Sequence, residues 1–176
     1  MQKLRKMIGK LDSPSTEALV RLIETQNKTT IGLWCINYAL DRVLPIWERH
    51  QPKDTRARDA LETAKKYVVG HARLDEVKRC KRECKKVPDE FAKDPILLAS
   101  SRAIFDAALQ SVYSPSGALS FLWYASAAIA YDRLGLEASS ESLDALAEIV
   151  TSDYTSELRA ISVENEPNPA KVSWTC

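Results

Sequence analysis

The stretch from Trp34 to Gly70, WCINYALDRVLPIWERHQPKDTRARDALETAKKYVVG, decides the fold. Its first half belongs to a helix expected to begin at Thr29 or Thr30 and to run to about His50. The apolar residues Ile31, Trp34, Cys35, Tyr38, Ala39, Val43, Leu44, Ile46 and Trp47 cover more than half of that helix, which marks it as central to a core. Pro45 lacks a backbone donor and its ring crowds the carbonyl of Asp41, so the helix is expected to kink there. Gln51-Pro52-Lys53-Asp54 then turns a sharp corner. Asp54 is the expected N-cap of the next helix, with Ala57, Ala60, Leu61, Ala64 and Tyr67 or Val68 facing inward. Gly70 is its stop.

The same punctuation extends in both directions. Ser13-Pro14 supplies a cap and a proline at the first helical position, ahead of the stripe Ala18, Leu19, Leu22 and Ile23. A short basic helix carries Leu74, Val77, Cys80 and Cys84 on one face and ends at Pro88. Asp94-Pro95 opens a helix to about Tyr113, and Ser114-Pro115-Ser116-Gly117 turns the chain into another, Ala118–Leu134, stopped by Gly135. A last helix starts near Ser139 or Ser140, holds Leu143, Leu146, Ala147 and Val150 inward, and fades near Ile161. No strand-period alternation competes with these patterns, and no short-period repeat occurs. The expected fold is therefore all-α: a single-domain antiparallel bundle of about seven helices over residues 1–162, with a Pro-kinked central helix and a loose tail at 163–176.

A chain of 176 residues is one domain by length. Its formal charge of +1 singles out no partner class. The charge is unevenly spread: residues 71–86 hold seven basic and three acidic residues, and residues 136–176 hold eight acidic and two basic. Two solvated helix faces explain this most simply. Four cysteines, Cys35, Cys80, Cys84 and Cys176, are too few for a secreted disulfide scaffold, and no signal-like segment opens the chain, so a reduced, cytoplasmic protein is expected. The uncharged run Ala107–Tyr131 is long enough on paper to cross a bilayer, but the Ser-Pro-Ser-Gly corner cuts it in two, so no membrane span is expected.

Few constellations could carry chemistry. Cys80 and Cys84 share a helix face but lack two further ligands, so neither metal nor cofactor is expected. No Gly-rich phosphate loop and no nucleophile elbow are present. His50, beside Arg49 and close to Asp54, is the one candidate general base; closing a helix C-terminus is its simpler role. The basic run containing Lys78, Arg79 and Arg82 invites a nucleic-acid reading, but no aromatic residue interleaves it, so nucleic acid is the disfavoured partner. Asp54, Arg56, Arg58 and Glu62 surround the corner. Asp54 can cap and Arg58 can pair with Glu62, which leaves Arg56 without a local partner.

These residues resemble a family of small helical proteins described as immunity proteins of bacterial toxin systems. The resemblance lies in Leu33-Trp34-Cys35, Ala39, Arg42-Val43-Leu44-Pro45, then Pro52-x-Asp54-x-Arg56-x-Arg58-x-Ala60, Glu62, Ala64 and Gly70. The Ala-rich hairpin Ala103 to Tyr131 is similar in texture, so the match spans roughly residues 31–135. Arg56-Ala57-Arg58 stands where the family favours Arg-Pro-Arg. The resemblance implies a non-enzymatic protein that binds and neutralises a cognate protein toxin of its own cell. It supplies no catalytic residues. Arg56, Arg58, His50, Asp54, Lys78, Arg79 and Arg82 are the candidate binding residues, and a second copy of the chain is a further candidate partner. The alternative is a ligand-binding or enzymatic bundle with a pocket beside Pro45.

Overall fold

The computed structural model describes residues 4–5 and 7–164. Among them the regular structure is entirely helical, in seven helices and one short helical turn. These are α1 (Pro14–Thr25), α2 (28–50), α3 (Arg56–Val68), α4 (Leu74–Glu83), the turn α5 (Val87–Glu90), α6 (95–111), α7 (Ser116–Leu134) and α8 (Ser140–Glu164). The expected tail at 163–176 lies outside the described residues except for Val163 and Glu164, where α8 continues beyond the expected end near Ile161.

Local chemistry sets most boundaries. The Ser13 hydroxyl accepts the Thr16 N–H, and the Asp94 carboxylate accepts those of Ile96 and Leu97, so each cap satisfies a first-turn donor. Gly70, at φ +85°, ends α3 in a conformation that a Cβ disfavours. The start of α2 differs from expectation. It begins at Lys28, because Asn27 accepts the Thr30 N–H at 2.8 Å and acts as the cap one position before the threonines.

Pro45 is accommodated by a π turn. Residues Ala39–Val43 adopt the wider winding, and the Leu44 N–H donates to Ala39, five residues back. This shifts the hydrogen-bond register just before the residue that cannot donate to Asp41. Asp41 and Pro45 face solvent, while Val43, Leu44, Ile46 and Trp47 enter the core. A second π segment, Arg102–Ala108, interrupts α6 with neither proline nor glycine to announce it.

The core is organised around α2, α6 and α7, with α8 closing one side. Tyr154 of α8 is fully buried: its ring stacks on Trp34 at 3.6 Å, its hydroxyl lies 2.9 Å from the Cys35 sulfur, and its carbonyl accepts the Trp34 indole N–H. Trp47 is a second centre, edge-on to Phe91 and Phe105. Gly117 lets α7 cross α6 at backbone contact, since a Cβ there would lie 2.6 Å from the Ser111 nitrogen and 2.7 Å from the Ala107 oxygen. The uncharged run is thus two helices packed on each other, and among the described residues no helix is long and apolar enough to cross a membrane. Before α1, Arg5 is tied to α7: the Tyr131 hydroxyl donates to the Arg5 carbonyl and accepts the Arg5 N–H, both at 2.8 Å.

Candidate functional site

The corner between α2 and α3 is built differently from its sequence reading. Thr55, with helical backbone angles, takes the N-cap position of α3, and Asp54 stands one residue earlier. The Asp54 carboxylate still accepts a first-turn donor, the Arg56 N–H at 3.1 Å. Its main engagement is with the Arg56 guanidinium, at 2.7 and 3.0 Å. That guanidinium also grips Glu90 of α5 through two hydrogen bonds of 2.8 and 3.0 Å. Arg56 is therefore a tie between the corner and α5, with the structural partner that local sequence did not reveal. Hydrogen bonding to Arg56 holds the Asp54 and Glu90 carboxyls below their ordinary values.

Arg58 is also engaged. It meets Glu48 of α2 in a two-pronged pair at 2.7 and 2.9 Å, and Glu62 stands at 3.7 Å as the secondary partner. His50 is drawn elsewhere: its Nε2 lies 4.0 Å from Asp132 of α7, a carboxylate already bonded to Arg49 at 2.7 Å. The corner's candidate residues are thus divided among three separate pairings: Asp54–Arg56–Glu90, Glu48–Arg58 and Arg49/His50–Asp132. Beside Pro45, the buried Trp47 packs against Phe91 and Phe105.

The basic helix presents the opposite case. α4 packs on α3 and on the end of α6, leaving Lys78, Arg79, Arg82, Lys85 and Lys86 exposed. Arg79 has a loose partner in Glu83, 3.7 Å away with both side chains well exposed. Among the described residues, no carboxylate lies within ion-pairing distance of Lys78, Arg82, Lys85 or Lys86. Lys81 is half-buried instead, donating to the Asp106 carbonyl at 3.0 Å and to the Gln110 side chain at 2.6 Å. Desolvation lowers its pKa from the ordinary lysine value.

The aromatic residue missing from the basic run arrives from the turn after α6. Tyr113 has the Lys78 and Lys81 ammoniums 5.7 and 5.8 Å from its ring centroid, within cation–π range. Lys78, Lys81, Arg82, Lys85, Asp106 and Tyr113 line a groove of about 330 Å³. Sequence reasoning missed Tyr113, because it stands far from the run along the chain. Cys84 is buried and its thiol is pushed up to about 11 by desolvation, while Cys80 is half-buried. Among the described residues, no three potential ligands gather to hold a metal ion.

The family profile of the Imm-5 like putative immunity protein matches residues 21–156, more than three quarters of the chain. No curated protein and no solved structure matches it. The chain belongs to this immunity protein family.

Proposed function

We propose that the protein neutralises a cognate toxin by binding it, with no chemistry of its own. Inhibition is steric or electrostatic: a rigid helical surface covers the part of the toxin that acts. The observation that carries this reading is membership of an immunity protein family over the whole central bundle, residues 21–156. The physical support comes from α4, where among the described residues Lys78 and Arg82 have no carboxylate within ion-pairing distance and Arg79 has only the loose partner Glu83. Lys78, Arg79 and Arg82 form the centre of the proposed surface. Arg56, Arg58, His50 and Asp54 are the less available candidates, since each already has a partner within the chain. The proposed setting is the cytoplasm of the cell that makes the toxin.

The test is stoichiometric. Toxin candidates from the native host are assayed for residual activity while this protein is titrated in. A binder abolishes activity at one equivalent and co-elutes with the toxin. Protection at a small fraction of an equivalent shows turnover and overturns the non-enzymatic reading. No protection against any host toxin removes the immunity role.

A further inference from the structure

We propose that the groove between α4 and the end of α6 receives an acidic segment of a partner protein, with its carboxylates on Lys78, Arg82 and Lys85 and one apolar side chain against Tyr113. This rests on the binding reading above and specifies the chemistry of the partner.

Charge points to the occupant. The groove is lined by four cations and one acid, and that acid, Asp106, is already bonded to Arg102 at 2.7 Å. Among the described residues its lining therefore carries a net positive charge. Lys81 uses two of its three donors on the Asp106 carbonyl and Gln110, which fixes the floor and leaves one donor for a ligand. Among the described residues Arg82 and Lys85 have no ion pair to give up when a carboxylate approaches, and Lys78 gives up only a cation–π contact with Tyr113. At about 330 Å³ the groove admits a few side chains rather than a folded surface.

The neighbouring hollow favours a protein over a nucleic acid. Arg82 also forms its wall, together with Arg73, Asp75, Glu76 and Arg79. A partner crossing Arg82 therefore meets two carboxylates next to the cations. Three arginines and two carboxylates make that hollow a surface of mixed sign, which a polypeptide can match with acidic and basic side chains and a uniform polyanion matches only in part. The half-buried Tyr113 ring, with two ammoniums 5.7 and 5.8 Å from its centroid, sets one apolar contact beside the cations.

The test uses the full chain and a fluorescein-labelled peptide carrying six acidic residues around one phenylalanine. A serine-for-phenylalanine peptide and a thymidine oligonucleotide of equal charge serve as comparisons. Anisotropy should show salt-sensitive binding of the acidic peptide, weakened about tenfold or more by Arg82→Glu and further by Lys78→Glu with Arg82→Glu. Tyr113→Ala should abolish the preference for phenylalanine over serine. Circular dichroism confirms that each variant folds, and Arg82→Gln substitutes if charge reversal unfolds the protein. The proposal is overturned if the peptide does not bind, if Arg82→Glu leaves its affinity unchanged, or if the oligonucleotide binds more tightly and is lost with the same reversal. Any of these leaves the one-to-one toxin titration standing, so the two ideas fail separately.

Discussion

Arg56→Ala should destabilise the protein, because the guanidinium ties the α2–α3 corner to α5. Its bond to Asp54 involves a carboxylate only 15% exposed, while the arginine is 41% exposed and Glu90 47% exposed. A charge-assisted hydrogen bond contributes about 1.5–3 kcal/mol when covered, and an exposed ion pair about 0.2–1 kcal/mol. The half-exposed guanidinium places the loss between these, at about 1–2 kcal/mol. In a chain of this size that lowers the melting temperature by about 2–8 °C. Urea denaturation followed by tryptophan fluorescence is a suitable assay, since the Trp47 indole donates to the Asp54 carbonyl and senses the corner. The pH dependence gives an independent check. Arg56 lowers the folded-state pKa of Asp54 from the ordinary 3.8, so its contribution is fully present above that value. It is lost as pH falls through the lowered folded value, and the gap between wild type and variant should close there. Equal stability at neutral pH, with no closing of a gap in acid, would refute the structural role and return Arg56 to the pool of residues free to bind a partner.

Gly117→Ala should destabilise by about 1–3 kcal/mol, because overpacking two backbone atoms outweighs the small propensity gain near a helix start. An unchanged urea midpoint would show that α6 and α7 separate at little cost. Native-state alkylation at pH 8, read by peptide mapping, should modify half-buried Cys80 before Cys84. Cys35, fully buried with its thiol pushed up to about 12 by desolvation, should react only after unfolding. Labelling of Cys35 at the rate of Cys80 would contradict the packing of α8 over α2.

The legible parts of this fold are those written in adjacent residues. Ser13-Pro14, Asp94-Pro95, Gly70 and Gly135 each act through their own side chain or backbone angle, so their helix ends can be read directly. Asn27 could have been read the same way, three residues before the N–H that it caps. The π segment at Arg102–Ala108 is different, because no residue in it is a helix breaker and nothing local marks the wider winding. Tyr154 escaped notice because it follows Thr151 and precedes Thr155, which blur the apolar stripe of α8. Those threonines are buried nonetheless, donating to carbonyls one turn back.

The candidate site shows the same division more sharply. Arg56 looked unpaired because Glu90 lies 34 residues away, and Arg58 finds Glu48 10 residues upstream across the corner. The basic helix looked like plain solvated surface because Tyr113 and Gln110 reach it only once α6 has packed. Pairing inside the fold then sets what a partner can gain. To engage an incoming carboxylate, Arg56 must release Asp54 and Glu90, so most of any new attraction is offset by bonds broken. Among the described residues Arg82 has no such bonds to break. Two arginines with similar chemistry thus differ in their capacity to bind, and the difference arises from residues distant in sequence. This is the physical reason to place the centre of the proposed partner surface on α4 rather than at the corner.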